Sequence, residues 1–96
     1  MTKNEKTKLI ELKKEVTQHY EECERSIKTL FKICKRHGLR MTIVIKTTLY
    51  EILKSDKTTD EEKQDAITLF EMHQQSIARI NTLNQVIRLL GVENNV

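Results

Sequence analysis

The sequence predicts an all-α protein: two long helices, at about residues 5–37 and 60–90, joined by a short one at about 42–54. Three observations carry this expectation. Proline is absent and glycine occurs only as Gly38 and Gly91, so the chain lacks the turn formers of a sandwich or barrel. Apolar residues recur every three or four positions over two long segments. Each of those segments ends at one of the two glycines.

In the first segment Leu9, Leu12, Val16, Tyr20, Cys23, Ile27, Leu30 and Cys34 share a stripe about 80° wide when placed at helical steps. Lys35, Arg36 and His37 suit the negative end of a helix dipole, and Gly38 stands where a left-handed C-terminal residue is wanted. The middle segment is rich in β-branched residues, and Met41, Ile43 and Ile45 alternate as in a strand. Yet Met41, Val44, Ile45, Thr48, Leu49, Ile52 and Leu53 keep a helical repeat beyond the point where alternation fails, and a lone strand would have no partner. A short helix is therefore expected, with Thr42 as its N-cap. After the polar linker 55–59, Thr59 and Glu62 have the spacing of a capping box, and Asp60, Glu61, Glu62 and Asp65 favour the positive end of the dipole. Ala66, Leu69, Phe70, His73, Ile77, Ile80, Leu83, Ile87 and Leu90 then carry the helical period to Gly91, read as the second stop.

Ninety-six residues suffice for one helical domain, 1–96, with 1–4 and 92–96 expected to fray. At 38% hydrophobic and 32% charged, the composition suits a folded, soluble chain. The longest apolar run, Ile43-Val44-Ile45, is far too short to span a membrane, and residues 1–8 are polar rather than signal-like. A cytoplasmic location is expected. On one helix Cys23 and Cys34 would lie about 16 Å apart along the axis, too far to bridge, so both are expected as buried thiols.

Charge is unevenly laid out. Between Arg25 and Tyr50 there is no Asp or Glu, while Arg25, Lys28, Lys32, Lys35, Arg36, Arg40 and Lys46 are all basic. Five of these, Arg25 to Arg36, fall within about 100° on the first helix, opposite its apolar stripe. They are the candidate anion- or partner-binding residues. No aromatic is interleaved with them for base stacking, which disfavours single-stranded nucleic acid.

Cys34, Gly38, Leu39 and Val44 fit the frame of a helix-turn-helix, and residues 30–49 resemble that motif. His37 stands where a core hydrophobe is usual, and Met41, Ile43 and Ile45 stand where polar base-reading groups belong. Cys34 with His37, and His19 with Cys23, have spacings that can place two metal ligands on one face, but a closed site needs four. No metal or other cofactor is expected. The chain has no glycine-rich phosphate loop and no supported catalytic triad or carboxylate pair, so no enzyme and no small-molecule substrate are expected. Glu21, Glu22 and Glu24 read as a wet acidic face. The basic amphipathic end of the first helix lacks interfacial tryptophan, so no membrane partner is expected.

The long stripes exceed what a short middle helix can cover. A homodimer is therefore expected to complete the bundle, its interface formed by Leu9, Leu12, Val16, Ile80, Leu83, Asn84, Ile87 and Leu90, with Asn84 setting the register. His73 and Ser76 also break the apolar row. The expected function is a non-enzymatic regulatory or inhibitory protein-interaction module with a basic face. The alternative is a small DNA-binding regulator using residues 30–49.

Overall fold

The computed structural model describes residues 2–94, with side chains through Gly91. It is all-α: α1 is Lys3–His37, α2 is Ile45–Lys54 and α3 is Asp60–Asn94. Hydrogen bonds between α1 and α3 fix the topology. Arg36 and His37 meet Glu62, Cys23 meets His73, Glu22 meets Ser76, and Glu15 meets Arg79. The residue numbers rise in α1 as they fall in α3, so the long helices form an antiparallel hairpin within one chain. It is a rod of 58 × 18 × 17 Å, with α2 packed against both long helices near its closed end.

The seam follows a seven-residue rather than a 3.6-residue repeat. On α1 the rows are Leu9, Val16, Cys23, Leu30 and Leu12, His19, Ser26, Ile33; on α3 they are Ala66, His73, Ile80, Ile87 and Leu69, Ser76, Leu83, Leu90. Every one of these residues is buried or half-buried. A strict heptad keeps one seam facing its partner along a whole pair of helices, which is the logic of a coiled coil. Tyr20 and Ile77, placed in the seam by ideal helical steps, are exposed instead. The accumulated drift of about 20° per heptad accounts for the misplacement.

The core is in two parts. Leu12, Val16, Cys23, Ile80 and Leu83 pack together towards the open end, with Ile87 and Leu90 against them. Leu30, Ile33, Cys34, Ile52 and Ala66 pack at the closed end, joined by Leu39, Ile45, Leu49 and Leu69. Ser26, His73 and Ser76 are buried between these groups on the same heptad rows.

The rows expected to meet a second copy therefore meet each other. Leu12, Val16, Ile80 and Leu83 are no more than 9% exposed within one chain, Ile87 and Leu90 pack against them, and Leu9 is half-buried. The short α2 sits at one end of the rod and leaves α1 and α3 free to pair with each other. Asn84 is exposed, outside the heptad rows, and cannot act as a seam asparagine in this packing.

The ends of the helices also correct the sequence reading. α1 begins earlier, because Thr2 Oγ1 accepts the Glu5 N–H at 3.2 Å and caps it; residues 3 and 4 are helical. At the other end Gly38 adopts φ 65°, and Leu39 N–H reaches Cys34 O at 2.8 Å while Gly38 N–H reaches Lys35 O. This is the Schellman arrangement, with Leu39 folding back onto the core beside Cys34. Gly91 is not a stop: its φ is not positive and α3 runs through it to Asn94. Of the expected frayed segments, 92–94 are helical, while Met1, Asn95 and Val96 lie outside the described residues. α2 begins at Ile45 rather than 42, with Val44 in the N-cap position and no side-chain cap. The Thr59–Glu62 box forms as expected: Glu62 N–H donates to Thr59 Oγ1 and Thr59 N–H to Glu62 Oε1, each at 3.0 Å.

Candidate functional site

All seven bases of the acid-free stretch are exposed. They differ in their pairing. Arg36 donates to Glu62 Oε2 at 2.9 Å and Lys28 reaches Glu24 at 3.0 Å, so each is partly neutralised by a carboxylate from outside the stretch. Arg25, Lys32, Lys35, Arg40 and Lys46 stand outside every ion pair among the described residues. Arg25, Lys32 and Lys35 project from the solvent side of α1. Arg40 lies in the connection after it, and Lys46 in the first turn of α2. The closed half of the hairpin thus carries five uncompensated cations.

The connection 38–44 adds a second feature that the sequence reading passed over. Ile43 is 96% exposed and Val44 56%, with Met41 also exposed. What holds this segment is Thr48. Its hydroxyl is fully buried, donates to Thr42 O at 3.0 Å and accepts the Thr42 N–H at 3.1 Å. Thr42 Oγ1 in turn donates to Val44 O at 2.9 Å. Thr42 therefore ties down the connection instead of capping a helix, and the residues after it are pushed outward.

α2 buries Thr48 and Ile52; its Lys46 and Tyr50 are exposed and its Leu49 and Leu53 half-buried, Leu49 against the closed-end core. Lys46, Thr47, Leu49, Tyr50 and Leu53 line a shallow depression of about 430 Å³. Tyr50 is 63% exposed, and Lys54 Nζ lies 5.3 Å from its ring centroid. The periodic signal for this face was present in the i, i+3, i+4, i+7 spacing of Lys46, Leu49, Tyr50 and Leu53. It was hidden because the same segment also supplies the inward-facing row.

The helix-turn-helix frame is not built. Seven residues separate His37 from Ile45, the frame's apolar position falls on the exposed Val44, and α2 starts too late to follow Gly38 as a recognition helix.

The middle of the hairpin is polar. Ser76 Oγ donates to Glu22 Oε2 at 3.1 Å, and His19 Nδ1 lies 3.3 Å from the same oxygen. Glu22, read as part of a wet face, is half-buried and bridges α1 to α3. Cys23 and Cys34 are free and buried. Burial pushes the Cys23 thiol up; the Ser76 hydrogen bond offsets part of this and the Glu22 carboxylate adds to it. Burial also raises Cys34, with a further rise from Glu51. Both are held in the unreactive thiol form. Among the described residues, no group of three or more His, Cys, Asp or Glu is arranged to hold a metal ion. Among them too, no helix is long and apolar enough to cross a membrane.

The candidate site is accordingly a surface: Arg25, Lys32 and Lys35 on the exposed side of α1, with Arg40 and Lys46 exposed in the connection after it and in the first turn of α2. No protein-family model, curated protein or solved structure matches the chain.

Proposed function

We propose that this protein is a non-enzymatic interaction module that binds an acidic protein partner through the closed half of its hairpin, and acts as a regulator or inhibitor by occupying that partner. The observation that supports this reading is the set of five exposed, unpaired bases, Arg25, Lys32, Lys35, Arg40 and Lys46, in a stretch without a carboxylate. A solvated face of a stable helix is ordinarily laced with both signs of charge. A single-sign face gathers anionic partners and speeds their approach.

The triple variant Lys28→Glu, Lys32→Glu, Lys35→Glu tests it. These side chains point away from both cores, so helical content by circular dichroism should be unchanged. A labelled helical peptide rich in Asp and Glu should bind the wild-type chain saturably and lose its affinity for the variant. A labelled mixed-sequence DNA duplex is the contrasting probe. Duplex binding with a steep salt dependence, and none to the peptide, overturns the reading in favour of nucleic acid.

A further inference from the structure

We infer that the open half of the hairpin is a separate opening unit: α1 and α3 part there in one cooperative step while the closed half stays folded. The division lies in the packing. The open-end core holds Leu12, Val16, Cys23, Ile80 and Leu83, the closed-end core holds Leu30, Ile33, Cys34, Ile52 and Ala66, and among the described residues none belongs to both. Along the seam between them Ser26, His73 and Ser76 fill buried positions and His19 a half-buried one. These polar side chains interrupt the apolar contact that would carry cooperativity from one core to the other.

The two halves are also held unequally. At the closed end Leu30, Cys34, Thr48 and Ile52 are fully buried, because α2 packs there on both long helices. Glu62 adds a polar tie from α3 to Arg36 and His37 of α1. The open-end core takes no residue from α2, and none of its five members is fully buried. The ion pair across it, Glu15 with Arg79 at 3.0 Å, lies at the surface, where such pairs contribute little. A helix stripped of its packed partner is marginal in water, so parting the open half frees both arms at the loss of one small core. Opening bares Leu12, Val16, Ile80 and Leu83, which the closed hairpin hides, and leaves Lys32, Lys35, Arg40 and Lys46 on the folded half. Apolar surface is thus presented or withdrawn without disturbing those bases, whatever they bind.

Residue-resolved amide hydrogen exchange of the full chain, followed through low concentrations of guanidinium chloride, tests this. Amides of 12–19 and 79–87 should share one opening equilibrium and one denaturant dependence. Amides of 30–34, 49–53 and 65–69 should share another, with opening at least about thirtyfold rarer. Their denaturant dependence should be steeper, because exposing them unfolds the whole chain. The mild variant Ile52→Val trims the closed-end core alone. It should raise exchange in the closed-half set about two- to tenfold and leave the open-half set nearly unchanged. A single opening equilibrium for both sets, raised in both by Ile52→Val, makes the hairpin one unit and overturns the inference. Closed-half amides that exchange first overturn it as well. So does protection that declines smoothly towards the open end, with no step between residues 19 and 30, since that pattern is end fraying.

Discussion

The imidazole of His37 and the carboxylate of Glu62 meet at the closed end of the hairpin, with Nε2 2.9 Å from Oε1 and 2.8 Å from Oε2. Glu62 also receives Arg36 and completes the capping box with Thr59, so one carboxylate joins the last turn of α1 to the first turn of α3. Hydrogen bonds from Thr59 and His37 hold its pKa down, from 4.5 to about 2, the Thr59 backbone N–H first and the His37 side chain next. Between those values the unfolded chain binds a proton that the folded one does not. Stability linked to Glu62 is thus present above about pH 4.5 and is lost as pH falls towards 2. Glu62→Gln keeps a capping side chain and removes the titration. Thermal melts of the variant should therefore fall less steeply than wild type across this window. Parallel curves would show that the contact does not form in solution.

The two thiols should be nearly inert in the native state. Cys34 is fully buried and Cys23 is 5% exposed, and both are raised by burial. A thiol reagent needs thiolate and access, and neither is offered. Modification should therefore wait on opening of the hairpin and accelerate sharply in denaturant. Rapid labelling of both residues in buffer would contradict the packing.

Two isoleucines nine residues apart should behave oppositely. Ile52 is fully buried among Leu30, Ile33, Cys34 and Ala66, so Ile52→Ala should cost about 2–5 kcal/mol in a denaturant titration. Ile43 is almost wholly exposed, and Ile43→Ser should stay within about 0.5 kcal/mol of wild type. A large loss at Ile43 would mean that the connection packs on the protein instead of projecting from it.

These contrasts show which parts of the fold were legible in the sequence. Local signals were read well where one residue has one job: Gly38 as a left-handed stop, Thr59 with Glu62 as a box, and the thiols on the buried side of α1. They failed where a distant group decides. Nothing near Thr42 announces that Thr48, six residues on, will take both its N–H and its carbonyl, and this delays α2 to Ile45. Gly91 carries no mark that tells a stop from a glycine tolerated inside a helix. The seam itself was read with the wrong period. Ideal helical steps chose Tyr20 and Ile27, whereas the heptad rows hold His19 and Ser26, polar residues that a hydrophobicity count passes over. The basic stretch was visible as charge, but which bases stay unpaired depends on Glu62 and Glu24, and the exposed apolar connection depends on Thr48.

The same seam decides self-association. Leaving Leu12, Val16, Ile80 and Leu83 in water would forgo about 1.5–3 kcal/mol for each side chain, a strong drive towards a partner. In the hairpin that drive is spent inside one chain, since these four residues cover one another and the half-buried Ile87 and Leu90 close the row. Among the described residues, the heptad rows are buried or half-buried within one chain. The chain should therefore sediment near its monomer mass of 11.3 kDa at micromolar concentration. Leu83→Ala should lower stability by about 2–5 kcal/mol without changing that mass, because the cavity opens within a single hairpin. A concentration-dependent mass that Leu83→Ala abolishes would place this row between copies and reopen the hairpin.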